Sequence, residues 1–428
     1  MQEKSKVRIE GNRVLRVVDD IKDTQKILDA INNIGEHKTN IVPTKVVEAE
    51  ENTIEHQYIP RIINSGEFTE SMTYDVNEIS LKLLFAMFKE GIYSFDLLPH
   101  NFTYYQGKWI LFDFGAFETN PKKVKTQLRN GFKISISAYE LLKIIDRSKL
   151  KHYFLNRIKN SDLKKMLPFK TWLSIFLKNR ACQFFCGLKK YDKAYELLND
   201  YLKGYSEQYI PSFDFPIENQ PELFDCIDSI LRQYKIETTF GVGLDFANWT
   251  LHTRLDCDNF VYLDDYGICD KFYNHIYKEQ CNNISTAVVY PLLQDDEISN
   301  NLNYRGLYDS YAQERFVSDA IVISNIDEFV KNTEFSYKRF CQNIRGFAKK
   351  LVLIRTDKLE ETKFLYKELN EVCTNVIETN YGDFKFIIAQ VNGAKEFEVS
   401  PSSLYQNDNR MTLANEHSKE IIKILNNQ

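Results

Sequence analysis

The chain has 428 residues, which is too many for one hydrophobic core and predicts two or three domains. Hydrophobic residues make up 43% of it and the net charge is −5, so we expect a folded globular protein with no basic field to attract nucleic acid. No stretch reaches the roughly 18–20 apolar residues of a membrane span, and the charged start MQEKSKVRIE lacks the apolar centre of a signal peptide. We therefore expect a cytoplasmic protein without a membrane span.

The cysteines are spaced as packing residues. All 8 lie between Cys182 and Cys373, and no two form a CxxC pair. Cys182 and Cys186 fall on a helical pattern, where thiols usually fill the core. We therefore expect no structural zinc site.

The first 60 residues consist of short runs that alternate apolar and polar side chains, which is the pattern of half-buried strands. A helix is predicted between Asp23 and Gly35. The predicted strands cover residues 6–10, 13–18, 45–50 and 53–59. This part of the chain is therefore predicted to form a small, strand-rich lobe.

An amphipathic helix is predicted from Val76 to Glu90. Its apolar residues recur at helical spacing on one face, and Gly91 is a typical C-terminal stop.

A hairpin is predicted next. Residues 102–105 and 108–112 are rich in β-branched and aromatic side chains and flank the two-residue turn Gln106-Gly107. Pairing outward from this turn places Asn101 opposite Phe112, so Asn101 and the following acid, Asp113, are expected to meet at the open end of the ladder.

Three polar side chains are predicted to converge beside this hairpin. An amide oxygen from Asn101 and a carboxylate from Asp113 suit Mg²⁺, which prefers hard oxygen ligands. Asp96 lies on the loop that enters the hairpin and can face the same point without being a metal ligand. This arrangement is what a phosphoryl-transfer site needs. The alternative is a plain hairpin whose Asp and Asn residues serve its turns.

The sequence DLLPHN from Asp96 to Asn101, followed by DFG from Asp113, resembles the catalytic and metal-binding segments of the protein-kinase-like superfamily, including its aminoglycoside- and choline-kinase-like branch. The resemblance implies that Asp96 orients the substrate hydroxyl and that Asn101 and Asp113 bind Mg²⁺ with ATP. It also implies a reduced N-lobe in residues 1–60 and a helical C-lobe in residues 61–208.

The chain departs from this superfamily in two places. Ser94-Phe95 stand where His-Arg or His-Gly is usual, and the first lobe has no glycine-rich phosphate loop. Arg16 on the second predicted strand, or Lys6 on the first, is the candidate contact to the nucleotide phosphates. The alternative for both is a solvated charge on an alternating strand.

Helical patterns continue after the hairpin, over residues 134–145, 150–158, 169–185 and 191–205. Residues 209–221 contain three prolines among polar residues and have no apolar period, so they are predicted to be a linker.

The second half alternates helices with short apolar runs. After a helix at 222–234, the predicted strands lie at 261–263, 286–290, 320–323 and 351–354, with a final pair around 376 and 384–391. Strands that alternate with helices predict a parallel, doubly wound α/β sheet, and the final pair predicts an antiparallel edge. We assign this domain to residues 222–395 and a tail with a helix to residues 396–428.

This layout resembles a class I S-adenosylmethionine-dependent methyltransferase. The resemblance implies a glycine-rich cofactor loop after the first strand, for which FGVGLD, with Gly241 and Gly243, is the candidate; Asp245 or Phe246 stands where a further glycine is usual. It implies that Asp264 holds the ribose hydroxyls and that Asp295 lies on the adenine side. The alternatives are a tight strand-to-helix turn for the glycines and a helix cap for the acids.

The expected fold is thus a multidomain α+β and α/β protein, in which a bilobal kinase-like domain precedes a Rossmann-like methyltransferase-type sheet. Bacterial fusions of this kind are known, and several modify surface glycans. The main hypothesis is a Mg²⁺- and ATP-dependent phosphotransferase acting on a hydroxyl of a small molecule or surface glycan. The alternatives are an S-adenosylmethionine-dependent methyltransferase with a kinase-like scaffold, and a non-catalytic binding protein. The oligomeric state stays open.

Overall fold

The computed structural model describes residues 7–10, 13–17, 25–26, 28–29, 42, 44–47, 52–59, 68–94, 101–112, 117–118, 169–198, 215–263, 265–288, 317–324, 326, 340–341, 348–357, 359 and 362–391. These residues fall into two compact units, one before position 211 and one after it. Within the described ranges, no helix combines the length and the hydropathy that a membrane crossing requires.

The first unit contains a four-stranded antiparallel sheet in the order β1-β2-β4-β3. Its strands are β1 Val7–Glu10, β2 Arg13–Val17, β3 Thr44–Val46 and β4 Thr53–Gln57. All four strands predicted for the first 60 residues are confirmed, and each is shorter than predicted. Val14, Leu15 and Ile54 are buried, and because Val14 and Leu15 are consecutive in β2 their side chains lie on opposite faces of the sheet. Of the helix predicted after Asp23, residues 25–26 and 28–29 are described, and they are helical.

Helix α1 spans Glu70–Lys89, so the predicted start at Val76 was wrong. The helix begins earlier because Thr69 caps it: the Met72 amide donates to Thr69 Oγ1 at 3.2 Å, and the Thr69 amide donates to Met72 Sδ at 3.4 Å. A capping box normally places Glu or Gln at the Met72 position, which is why the sequence pattern did not indicate it. The predicted end is correct, since Gly91 follows the helix with φ +74°.

The predicted hairpin is confirmed as β6 Phe102–Tyr105 paired with β7 Lys108–Leu111. Both turn residues, Gln106 and Gly107, have positive φ values of 50° and 74°, as a two-residue type I′ turn requires. Two short strands, β5 Tyr93–Ser94 and β8 Phe117–Glu118, pair antiparallel before and after the hairpin.

Helix α2 covers Phe169–Gly187, and residues 191–198 are also helical. Cys182 and Cys186 are buried in α2, and burial raises the pKa of each thiol to about 12, so the prediction that they are inert packing residues is confirmed. The helices predicted at 134–145 and 150–158 lie outside the described residues, as do residues 209–214 of the predicted linker. Residues 215–220 of that linker have neither helix nor strand, and residue 221 begins the next helix.

The second unit is built on a seven-stranded sheet in the order β11-β10-β9-β12-β13-β15-β14. The strands are β9 Thr238–Val242, β10 Asp258–Leu263, β11 Ile284–Val288, β12 Ser318–Ile323, β13 Ala348–Arg355, β14 Thr374–Tyr381 and β15 Phe384–Gln390. The described helices of this unit are α3 Pro221–Gln233, α4 Leu244–His252, α5 Tyr266–Lys278 and α6 Lys363–Val372.

Strands β9 to β13 are parallel to one another, whereas β15 is antiparallel to both β13 and β14. Every residue of β12 is buried, as expected for a central strand covered on both faces. The predicted doubly wound, Rossmann-like α/β sheet with an antiparallel edge pair is therefore confirmed. The chain runs outward from β9 through β10 to β11, and then returns to β12 on the other side of β9. The boundary between β9 and β12 is thus the topological switch point, where ligands of such sheets usually bind.

Candidate functional site

The loop at the switch point turns on Gly243, which lies between β9 and α4. Gly243 has φ +104° and ψ 163°, a conformation that residues with a Cβ avoid. It is the N-cap of α4 and has no side chain of its own with which to cap that helix. Its amide donates to the Tyr262 carbonyl at 3.1 Å, which holds the loop against the end of β10. The prediction of a glycine turn between strand and helix at this position is confirmed.

Gly241 has a different role from Gly243. A Cβ on Gly241 would lie 2.2 Å from two ring carbons of Phe246, far inside van der Waals contact. The missing side chain therefore makes room for the buried Phe246 ring of α4. On this side the bare backbone of Gly241 packs against protein.

Ser324 joins the two loops at the switch point. It directly follows β12 and is buried. Its amide and its hydroxyl both donate to the Val242 carbonyl, at 3.2 and 3.0 Å, and the Phe246 amide donates to Ser324 Oγ at 3.3 Å. Of the four residues after Ser324, Ile326 alone is described.

A buried charge cluster lies at the same edge of the sheet. Arg355 at the end of β13 donates through Nη1 to Asp245 Oδ2 at 2.5 Å, and through Nε and Nη2 to both oxygens of Asp357, at 2.7 and 2.8 Å. The Arg355 and Asp245 side chains are only 8% and 9% exposed. The guanidinium also lies over the Phe384 ring, 5.0 Å from its centroid.

The ionisation of this cluster follows from its contacts. Burial alone raises the pKa of the Asp357 carboxyl, but the hydrogen bonds and charge of Arg355 outweigh it and bring the pKa below the ordinary value of 3.8. Burial alone would lower the pKa of Arg355, and its two carboxylate partners raise it instead. Arg355 therefore stays charged, and Asp357 stays ionised as its partner.

The acids near the strand ends of the second unit differ in their contacts. Asp265, the residue after Asp264, caps α5, since its Oδ1 accepts from the Ile268 amide at 2.7 Å. Asp264 and Asp295 lie outside the described residues. Asp319 lies at the opposite, amino-terminal edge of the sheet, where its Oδ2 accepts from Lys350 Nζ at 2.9 Å and from the Glu237 amide at 3.0 Å.

In the first unit, the structure describes part of the predicted phosphotransfer site. Asn101 is buried at the open end of the hairpin, and its carbonyl accepts from the Phe112 amide at 3.0 Å, which confirms the predicted pairing of these two residues. Arg16 is half-buried on β2, opposite Ile54 on β4. Asp96, Asp113 and Lys6 lie outside the described residues, so their convergence stays a prediction. Over the described parts of the chain, no cluster of three or more His, Cys, Asp or Glu side chains could hold a metal ion.

Sequence reasoning missed Arg355 and Asp357. A signal was present, because Arg355-Thr356-Asp357 directly follows the apolar run Leu351–Ile354. Charged residues just beyond a buried parallel strand lie at the edge where such sheets bind ligands.

No family model matches the chain, and neither does any curated protein. Solved structures similar to it include EvdMO1, with 11% identity, 43% of this chain and 44% of that chain covered, and a TM-score of 0.27. An S-adenosylmethionine-dependent methyltransferase from Aquifex aeolicus is 13% identical, with 41% and 100% covered and a TM-score of 0.26. A methyltransferase from Geobacter sulfurreducens is 13% identical, with 45% and 98% covered and a TM-score of 0.29. The chain thus spans under half the length of EvdMO1, and the fold of the second unit rests on its own strand order.

Proposed function

We propose that the protein is a transferase whose second unit binds S-adenosylmethionine and catalyses methyl transfer. The observation that carries this proposal is Gly243, with its φ of +104°, at the switch point of a doubly wound sheet that ends in an antiparallel pair. A residue without a side chain at a helix N-terminus lets a ligand approach the backbone and its amides. The site fits the cofactor at Gly243, whereas the space beside Gly241 belongs to Phe246.

The roles of the surrounding residues follow from the resemblance. Gly243 accommodates the methionine part of the cofactor, Asp264 binds the ribose hydroxyls, and Asp295 lies on the adenine side. When bound, S-adenosylmethionine supplies a methyl group activated by a sulfonium. The protein's contribution is to hold that methyl group in line with the acceptor and to exclude water. The acceptor is a small molecule or a glycan.

Calorimetric titration of the full chain with S-adenosylmethionine tests this proposal. We expect binding to the wild type, and its loss in Asp264→Ala. Asp265→Ala is the matched control, because it removes the neighbouring carboxylate, whose contact is a helix cap worth about 1 kcal/mol of stability. Absence of binding to the wild type, or equal affinity in wild type and Asp264→Ala, would contradict the proposal.

A second candidate function concerns the first unit. The hairpin holds Asn101 buried at its open end and paired with Phe112, the residue before Asp113 in the sequence, which supports a Mg²⁺- and ATP-dependent phosphotransferase with Asp96 orienting a hydroxyl. Thermal shift with ATP and Mg²⁺ tests it, since a ligand that binds only the folded state raises the melting temperature. We expect a shift that Asp113→Ala abolishes. If the protein responds neither to ATP with Mg²⁺ nor to S-adenosylmethionine, a non-catalytic binding protein is favoured.

A further inference from the structure

The start of α4 is held by tertiary contacts. Its N-cap, Gly243, offers no side chain, so the helix lacks the capping bond that normally fixes a helix start. In the first turn, Phe246 is held through its amide by Ser324 and through its ring by Gly241, and Asp245 is held by Arg355. The shape of the glycine loop therefore depends on residues distant in sequence.

The contact between Asp245 and Arg355 crosses the switch point. Asp245 follows β9 and Arg355 ends β13, and β12 lies between these two strands. The bridge therefore spans two strand spacings, about 10 Å, over the end of β12. The bridge thus joins the first turn of α4, beside the loop where the proposed cofactor binds, to the end of β13.

The pairing is specific in geometry. Arg355 donates to both oxygens of Asp357 along one edge of its guanidinium, through Nε and Nη2, and to Asp245 through the remaining nitrogen, Nη1. Asp357 fixes the direction of the guanidinium, and the guanidinium fixes Asp245. A lysine in this place has one compact ammonium and cannot reproduce the planar fork.

From these contacts we propose that Arg355 is a positioning residue for cofactor binding, which acts through Asp245 to set the geometry of the Gly243 loop. This proposal rests on the proposed methyltransferase function. Arg355 pairs with the Asp245 carboxylate, and it holds the first turn of α4 in the orientation that leaves Gly243 open to the ligand.

A double-mutant cycle on the full chain, read by calorimetric titration with S-adenosylmethionine, tests the proposal. We expect Arg355→Gln and Asp245→Asn each to weaken binding at least tenfold. The double variant should bind no more weakly than Asp245→Asn alone, because the arginine acts through the aspartate. Lys350→Gln is the control: it breaks an ion pair with Asp319 at the opposite edge of the same sheet and should change affinity less than threefold. A purely structural role, acting through the stability of the whole unit, would make the loss from Lys350→Gln as large as that from Asp245→Asn.

The outcomes separate the two proposals. If the wild type binds S-adenosylmethionine but Arg355→Gln and Asp245→Asn bind as tightly, the positioning role is overturned and the proposed function stands. If the wild type does not bind, both are overturned. Should Arg355→Gln not fold, Arg355→Lys keeps the charge, and Lys at this position should still weaken binding at least threefold; unchanged affinity would overturn the proposal.

Discussion

The candidate sites of the two units are built in opposite ways. In the first unit, a hairpin fixed by its own two-residue turn places Asn101 beside Phe112, so neighbouring residues in sequence define the geometry. In the second unit, the first turn of α4, next to Gly243, is paired through Asp245 with Arg355, which lies 110 positions further along the chain. A local site tolerates changes elsewhere in its unit, whereas a site assembled across a sheet depends on distant strands keeping their register. This difference orders the expected effects of mutation.

The largest effect is expected from Arg355→Met. It leaves Asp245 nearly buried without its cation, and breaking a buried ion pair on one side costs about 3–5 kcal/mol. Differential scanning calorimetry of the full chain measures the loss. The control is Arg13→Met, because Arg13 is half-exposed and its ion pairs with Glu10 and Glu55 contribute less than about 1 kcal/mol each. If the two variants lose equal stability, the expectation that the second unit depends on a buried ion pair between distant strands is contradicted.

Gly241→Ala is expected to rank next. Its Cβ would overlap the Phe246 ring, and overpacking of this kind costs about 1–3 kcal/mol. Denaturant unfolding gives the value, and Phe246→Leu in the same chain should recover part of it because the smaller side chain frees the space.

Gly267→Ala is the matched control for this substitution. Gly267 lies in α5, where the nearest atom to a Cβ would be 3.4 Å away, so alanine should leave stability unchanged or raise it by up to about 1 kcal/mol. If Gly241→Ala does not lower the free energy of unfolding, the Phe246 ring can move aside, which contradicts the prediction.

The hairpin turn should respond more weakly. Gly107 has φ +74°, so Gly107→Ala should cost about 1–2 kcal/mol, confined to the first unit. Gln106→Gly should instead stabilise the hairpin, because Gln106 has a φ of 50°, which glycine adopts without strain. Hydrogen exchange at the amides of β6 and β7 measures both; slower exchange in Gly107→Ala would contradict the prediction.

The smallest effect is expected on the pH dependence of stability. The pKa of Asp357 is lower in the folded chain than its ordinary 3.8, so its contribution to stability is present above that value and is lost as the pH falls through the folded pKa. Melting temperatures measured between pH 6 and about pH 3 should therefore fall less steeply in Asp357→Asn than in wild type. Parallel curves would show that this carboxyl is not coupled to folding.

Sequence reasoning was most accurate where a pattern is local. The strands β1 to β4, the hairpin and its register, and the alternation of strands and helices after residue 221 all follow from side-chain period and turn residues. It failed at the start of α1, because Thr69 uses a methionine sulfur where the usual capping pattern has a carboxylate or amide. It also gave Gly241 and Gly243 the same role, although one accommodates a phenylalanine ring and the other adopts a positive φ.

The sequence by itself determined the secondary structure and the turn that needs Gly243, since hydrophobic period and backbone strain act over a few residues. The tertiary structure alone decided which side chains meet at the carboxyl edge of the sheet. Arg355 lies beside Asp245 because β12 and β13 add to the sheet on the side of β9 opposite to β10. Strand order depends on the packing of both faces of the sheet, and no short stretch of sequence encodes it.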